Sequence, residues 1–298
     1  MDKLLFGDNQ FFGINHMSEE KARAQAIRFQ HTQAILDVLD AAYDEGIRTF
    51  MCTTHERVAQ ICDHVRKNPG RYSEFVFYPG MPYAHKYANA ATEEGMLGML
   101  KRLIPAEGIL NALFRGGMSL AAKDIDGITT LLIDAEMKMF DGLNTPVIFL
   151  QNVVTDLLLG LGITDAFSIF AEHVRKRYGA EPGFITMNLP MLLDMLDKAG
   201  IDNPIVCSSI NKVGFRMCGG IEAYDEAMRR RKFRAIAMSV LASGAIPPRE
   251  AVEWVCARPN LQAIVFGASG ASNIRSFRKM VDEYWNNKVP ANAQLTSA

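Results

Sequence analysis

Apolar residues recur along the chain in short runs, and each run is followed by a longer stretch in which they return every third or fourth position. A short apolar run is what a parallel strand buried on both faces requires, and the longer stretch behind it is an amphipathic helix laid across the sheet. Eight such runs are legible, at 4–6, 47–52, 75–78, 147–150, 184–187, 205–209, 235–240 and 263–266. Behind the first lies a helical region, 19–44, in which Ala34, Leu36, Val38, Leu39 and Tyr43 form the buried stripe before Glu45 and Gly46 stop it. The helix after the second run reaches Lys67, where Asn68, Pro69 and Gly70 break the pattern, and the third run closes at Pro79 and Gly80. From the fourth run onward the spacing is that of a repeated βα unit. The pattern predicts an α/β chain folded as one (β/α)8 TIM barrel domain over 1–298.

One interval breaks the repeat. Roughly 65 residues separate the third and fourth runs, where a single helix needs far fewer. Residues 92–104 read as the ordinary helix, and residues 105–144 as a helical insertion between strands 3 and 4, with a second helix over 128–140. Residues 128–133 alone would pass for a strand, but Asp134, Ala135, Glu136, Met137 and Lys138 continue them with good helix formers. The insertion is expected to add packing or a homo-oligomer contact through 105–144; a lid over the barrel mouth is the alternative.

The chain has 298 residues, 49% hydrophobic and 22% charged, enough to bury one large core. Its 32 basic and 33 acidic residues nearly cancel, which argues against a nucleic-acid or anionic-membrane partner and for a small-molecule substrate. Five cysteines form no CxxC pair, and an odd count suits reduced thiols, so a cytoplasmic location is expected. Near the start, Asp8, Asn9 and Gln10 intervene before a signal-peptide core can form. The most apolar stretch, 147–171, is broken by Gln151, Asn152, Asp156 and Asp165, so no membrane span is expected.

In such a barrel the chemistry sits where the strands end. The side chains there are rich in amides and hydroxyls, which suit a polyhydroxylated or phosphorylated molecule. Asp8, Asn9, Gln10, Gln151, Asn188, Ser208 and Asn211 are the candidate substrate contacts. His16, His55 and His85 follow three neighbouring strands and are candidate ligands for a divalent metal, with Glu56 or Asp8 able to complete the set. No HxH or HExxH spacing accompanies them, and solvated loop histidines are the plainer reading.

After the eighth run, Gly267, Ala268, Ser269 and Gly270 precede Ser272 and Asn273, placing small residues before a helix N-terminus, where free N–H groups and the dipole favour an anion. With Ser243 and Gly244 after the seventh run, this makes the candidate phosphate or nucleotide site; a simple helix cap by Ser272 is the alternative. Lys212 is a candidate for Schiff-base chemistry but reads more simply as an exposed loop residue. Cys52 is either a reactive thiol or a small core residue.

The strings RAIAMSVLASG at 234–244, PREAVEWV at 248–255 and IVFGAS at 264–269, with Asn273 and Ile274, resemble the aldo/keto reductase superfamily in its seventh strand, following helix and eighth strand with cofactor loop. GIRTFMCT at 46–53 is similar to that family's second-strand motif. The resemblance implies the same barrel, NADPH as cofactor, and carbonyl reduction by a tyrosine whose acidity a lysine and a histidine tune. The family's aspartate, tyrosine, lysine and histidine fall at Met51, Glu56, Pro79 or Gly80, and Asn152, so the usual tetrad is expected to be missing. Non-standard catalytic candidates take its place: His55, Glu56, Asn152 and Tyr83. Three readings follow. The first is an enzyme on this barrel acting on a small polar molecule; the others are a metal-assisted lyase, isomerase or aldolase, and a non-catalytic barrel that binds a ligand or partner.

Overall fold

The computed structural model describes residues 1–13, 18–83 and 130–286. Eight parallel strands close into a barrel in chain order: β1 (Leu4–Gly7), β2 (Thr49–Thr53), β3 (Val76–Met81), β4 (Val147–Leu150), β5 (Glu181–Thr186), β6 (Ile205–Ser209), β7 (Arg234–Met238) and β8 (Leu261–Phe266). The helices around it are α1 (Glu19–Arg28), α2 (Thr32–Asp44), α3 (Glu56–Lys67), α4 (130–137), α5 (Asn152–Leu161), α6 (Asp165–Tyr178), α7 (Leu189–Lys198), α8 (Gly220–Arg230), α9 (Pro248–Cys256) and α10 (Ala271–Asn286). This is the single-domain (β/α)8 barrel that the hydrophobic pattern predicts.

Successive residues of a strand face opposite sides, and here that alternation sorts the apolar runs into two cores. Leu5, Met51, Tyr78, Phe149, Cys207, Ile236 and Ala263 fill the barrel interior. Phe6, Phe50, Phe77, Ile148, Phe184, Val206 and Ile264 face outward into the shell of helices. Because both faces are buried, the runs read as continuous rather than alternating.

Three boundaries depart from the expected pattern. The region 19–44 is two helices, parted where Phe29 turns inward to meet Phe11 edge-on at 5.0 Å. Strand β3 does not stop at Tyr78 but runs through Pro79 and Gly80 to Met81; the proline costs the ladder one donor, yet its fixed φ is compatible with extended backbone. Strand β5 starts at Glu181, its first half masked in the sequence by Pro182 and Gly183. The expected helix at 128–140 is present in its described part, as α4 and a 3-10 turn over Lys138–Phe140, with Ile133, Met137 and Phe140 buried. The expected helix at 92–104 and residues 105–129 of the insertion lie outside the described residues. Among the described residues no helix is long and apolar enough to cross a membrane.

Gly183 shows how tightly the interior is filled, since a Cβ there would lie 2.4 Å from the buried ring of Phe149. Gly183→Ala is therefore expected to lower stability by about 1–3 kcal/mol through overpacking. A thermal melt followed by circular dichroism checks this, and an unchanged midpoint would show that the Phe149 ring can move aside.

Candidate functional site

All eight strands end on one rim, and alternation decides which terminal side chains reach the mouth. Met51, Phe149 and Cys207 point inward, so Thr53, Gln151 and Ser209, two positions on, share their face. Cys52, Leu150 and Ser208 fall on the helix side. Cys52 packs in the outer core, and burial together with Asp8 pushes its thiol well up, so it is a packing residue here.

The chemistry gathers after β1, β2 and β3. Asp8 Oδ2 accepts the Thr53 backbone N–H at 2.7 Å and the Thr53 hydroxyl at 2.8 Å. Asp8 Oδ1 takes no bond from another described residue, and it is not among the side-chain atoms sealed from solvent without a partner. The residue is 5% exposed, and burial lifts its carboxyl above the usual carboxylate range against the two Thr53 bonds and its own backbone N–H, which lower it.

His55 caps α3, with Nδ1 accepting the Arg57 backbone N–H at 3.1 Å. In the neutral ring this leaves the proton on Nε2. Phe12 stacks flat on the imidazole at 4.1 Å, and Tyr83 meets its edge at 6.0 Å. Burial holds the His55 pKa below the ordinary imidazole value, outweighing the opposite pull of Glu56. The Tyr83 phenol is pushed up, first by burial and then by Asp8.

Behind this group lies a residue that sequence reasoning passed over. Glu136 of α4 is 1% exposed; it accepts the Thr54 hydroxyl at 2.5 Å and the Tyr83 backbone N–H at 3.1 Å, and so ties the insertion to the loops after β2 and β3. A signal was present, because Glu136 falls on the apolar stripe Ile133, Met137 and Phe140.

The wall after β5 and β6 is a second network. Asp156 accepts the Thr186 hydroxyl at 2.5 Å and the Met187 N–H at 3.1 Å, while the Tyr224 hydroxyl donates to the Met187 carbonyl at 2.7 Å. Ser208 donates to the Thr186 carbonyl at 3.0 Å, and Asn211 clamps both the N–H and the carbonyl of Phe215 at 2.8 Å. Ser208 and Asn211 thus enter the site as scaffold. Asn188 caps α7 through Met191, Asn9 and Glu56 stand exposed on the rim, and Asn152 opens α5 behind the buried Gln151.

The β7 and β8 turns form the third part. Ser239, Ala242 and Ser243 sit in the left-handed region at φ of 56°, 45° and 57°. Each costs about 1–2 kcal/mol in a residue with a Cβ, so the surrounding structure imposes this turn. A cavity of about 350 Å³ opens beside β8, lined by Gly267, Ala268, Ser269 and Asn273, by Gln25, and by Phe266 and Phe277. Those two phenyl rings stack at 4.4 Å, and Gln25 Oε1 is sealed without a hydrogen-bond partner among the described residues. A Cβ at Gly267 would lie 2.0 Å from Gln10 Oε1, so the Gln10 side chain, which donates to the Gly7 carbonyl at 2.7 Å, would have to move. Arg28 brings Nη2 to 3.6 Å from the Cβ position of Gly270 and makes no ion pair among the described residues. Ser243 and Gly244 lie in the strained turn.

Among the described residues no group of three or more His, Cys, Asp or Glu side chains is placed to hold a metal ion. His16 and His85 lie outside the described residues. A further cavity of about 380 Å³ sits at the amino end of β6 beside Asp197, Asp202 and Arg231, the face of the barrel that serves stability rather than chemistry.

The raised Asp8 carboxyl has a consequence for stability. Its folded pKa lies above its unfolded value of 3.8, so the native state holds the proton more tightly and loses stability as pH rises through that window. Asp8→Asn keeps an acceptor for Thr53 and removes this cost. The melting temperature of the variant is expected to gain on that of the wild type as pH is raised from about 4 to 7. A gap that stays constant across the series would contradict it.

No protein-family model matches the chain, and no curated protein matches it. Solved structures do. A protein described as an aldo-keto reductase from Pseudomonas aeruginosa aligns over 95% of this chain and 91% of its own, with a TM-score of 0.61 at 14% identity. One described as a 2,5-diketo-D-gluconic acid reductase B aligns over 97% of this chain and 88% of its own, with a TM-score of 0.58 at 9% identity. An aldo-keto reductase from Bacillus halodurans, solved in its holo form, aligns over 95% and 90% with a TM-score of 0.57 at 11% identity. At these identities the likeness is one of fold: the chain has the (β/α)8 barrel of structures described as aldo-keto reductases.

Proposed function

We propose that this chain is an oxidoreductase-type enzyme that binds the phosphate-bearing half of NADPH at the β7 and β8 turns and a small polar carbonyl compound at the mouth. The observation that carries the reading is the cavity of about 350 Å³ beside β8, a size that suits part of a nucleotide. Gln25 Oε1, buried in its lining without a donor among the described residues, is the kind of acceptor that a nucleotide amino or hydroxyl group satisfies. The fold likeness to aldo-keto reductases supports the same assignment.

Ser243, Gly244, Gly267, Ala268, Ser269 and Asn273 would hold the nucleotide, largely through backbone N–H groups at the start of α10, with Arg28 adding a cation nearby. When bound, NADPH supplies a hydride for a carbonyl carbon. The chain's own groups supply the rest. His55, kept neutral, offers Nε2–H to a carbonyl oxygen, and Tyr83, kept un-ionised, offers a second donor. Phe12 fixes the imidazole plane, while Asn9, Gln151 and Asn188 provide amides for hydroxyl groups of the substrate. Glu56 and Asn152 complete the rim. Neither the tetrad tyrosine nor its lysine and histidine is needed for these roles.

Titration of NADPH fluorescence with purified protein tests the reading. Saturable binding is expected, and Asn273→Asp, which sets a carboxylate in the first turn of α10, is expected to weaken it roughly tenfold, about 1.4 kcal/mol. Absence of binding at millimolar NADPH removes the nucleotide from the proposal.

A further inference from the structure

Asp8 and His55 are each held in place by contacts that the nucleotide does not explain. Asp8 is anchored to the end of β2 through one oxygen: Thr53 delivers its N–H and its hydroxyl to Oδ2, while Oδ1 takes no bond from another described residue. His55 is fixed on three sides, by the Arg57 N–H on Nδ1, by Phe12 on its face and by Tyr83 at its edge. Among the described residues Nε2 is the nitrogen left unengaged. Asp8 and His55 hang on the same short segment, since Asp8 grips Thr53 two residues before His55, and Phe12 follows Asp8 by four residues. One group is a carboxyl with an oxygen outside the Thr53 bonds; the other is an imidazole that presents N–H and is barred by its helix cap from offering a lone pair.

We propose that this mouth catalyses proton transfer in α-hydroxycarbonyl compounds, interconverting hydroxyaldehyde and hydroxyketone, with Asp8 as base and His55 as the neutral donor to the carbonyl oxygen. The inference rests on the mouth as the reaction site and not on the nucleotide. Asp8 Oδ1 takes the proton from the hydroxyl-bearing carbon. The C–H electron pair becomes the new carbon–carbon double bond, and the carbonyl π pair moves onto its oxygen, which takes a proton from His55 Nε2. The hydroxyl of the first carbon returns a proton to Nε2, and Asp8 delivers its proton to the neighbouring carbon. The net change moves one hydrogen between carbons and one between oxygens, with no oxidant, reductant or water consumed.

The environments of the two groups agree with these roles. A base that works near neutrality needs a carboxyl lifted from its usual range, and burial lifts Asp8. A neutral electrophilic imidazole needs its protonation disfavoured, and burial lowers His55, with Nδ1 held at the positive end of α3. An amide at position 8 would accept the same Thr53 bonds without the cost of a buried acid, so the carboxyl stands there at a cost to stability.

The test uses D-glyceraldehyde in D2O without nucleotide, followed by proton NMR. Wild-type protein is expected to form dihydroxyacetone and to exchange carbon-bound hydrogen for deuterium above a protein-free blank. Asp8→Asn, which keeps an acceptor for Thr53, is expected to lower the rate by about 10²–10⁴-fold. His55→Asn, which replaces one good helix cap with another, is expected to lower it by about 10²–10³-fold. Melting curves establish that both variants remain folded. Exchange no faster than the blank for wild type, or undiminished exchange in either folded variant, overturns the proposal. Because the assay contains no nucleotide, its outcome is independent of whether NADPH binds.

Discussion

The period-two alternation of side chains along a closed parallel sheet is the constraint from which the rest of this molecule follows. It forces each strand to give every second residue to the interior and the others to the helices, so eight short apolar runs build two cores at once. At the rim the same rule separates neighbours by role. Ser209 shares the inner face and touches Ser239, whereas Ser208 bonds Tyr224 in the wall. Thr53 reaches Asp8, and Thr54, one residue on, reaches Glu136 on the other side.

The two buried carboxyls that flank this threonine pair differ in how they are satisfied, and the proposed chemistry uses the difference. Glu136 has donors on both of its oxygens and joins α4 to two loops, which is how a buried acid serves as structure. Asp8 has donors on one oxygen and none from another described residue on the other. A buried acid left half-satisfied is costly, and folds retain such cost where chemistry uses it.

Much of this was legible in the sequence, and the part that was not has definite causes. Strand count, order and the exceptional third interval follow from hydrophobic runs, because burial on both faces leaves no other pattern. The true course of β3 and the start of β5 were hidden by Pro79, Gly80, Pro182 and Gly183, residues whose usual meaning is a break. Their presence inside strands depends on partners far away in sequence, such as the Phe149 ring over Gly183. Among the candidate site residues, position just past a strand put forward Asp8, His55 and Tyr83, but could not tell Ser208 from Ser209 without tracking which face each occupies. Glu136 was missed because good helix propensity explained it locally, while its spacing from Ile133 and Met137 announced a buried acid.

The mouth and the β8 cavity make separate demands on the fold, which bears on how such a barrel changes its reaction. The cavity is built from β8, α10 and the strained β7 turn, with Gln10 spanning from β1 to Gly267. The mouth group is built from β1, β2 and the loop after β3, and is braced from outside by α4. Gln10 is joined to Asp8 through a single 3-10 turn, since Asp8 supplies the carbonyl that the Phe11 N–H of that turn bonds. One short turn therefore touches both halves, through Gln10 on the cavity side and Phe12 on the mouth side. On the proposed function, a substitution elsewhere on the mouth would alter chemistry without disturbing the cavity, whereas a change within residues 9–12 would act on both.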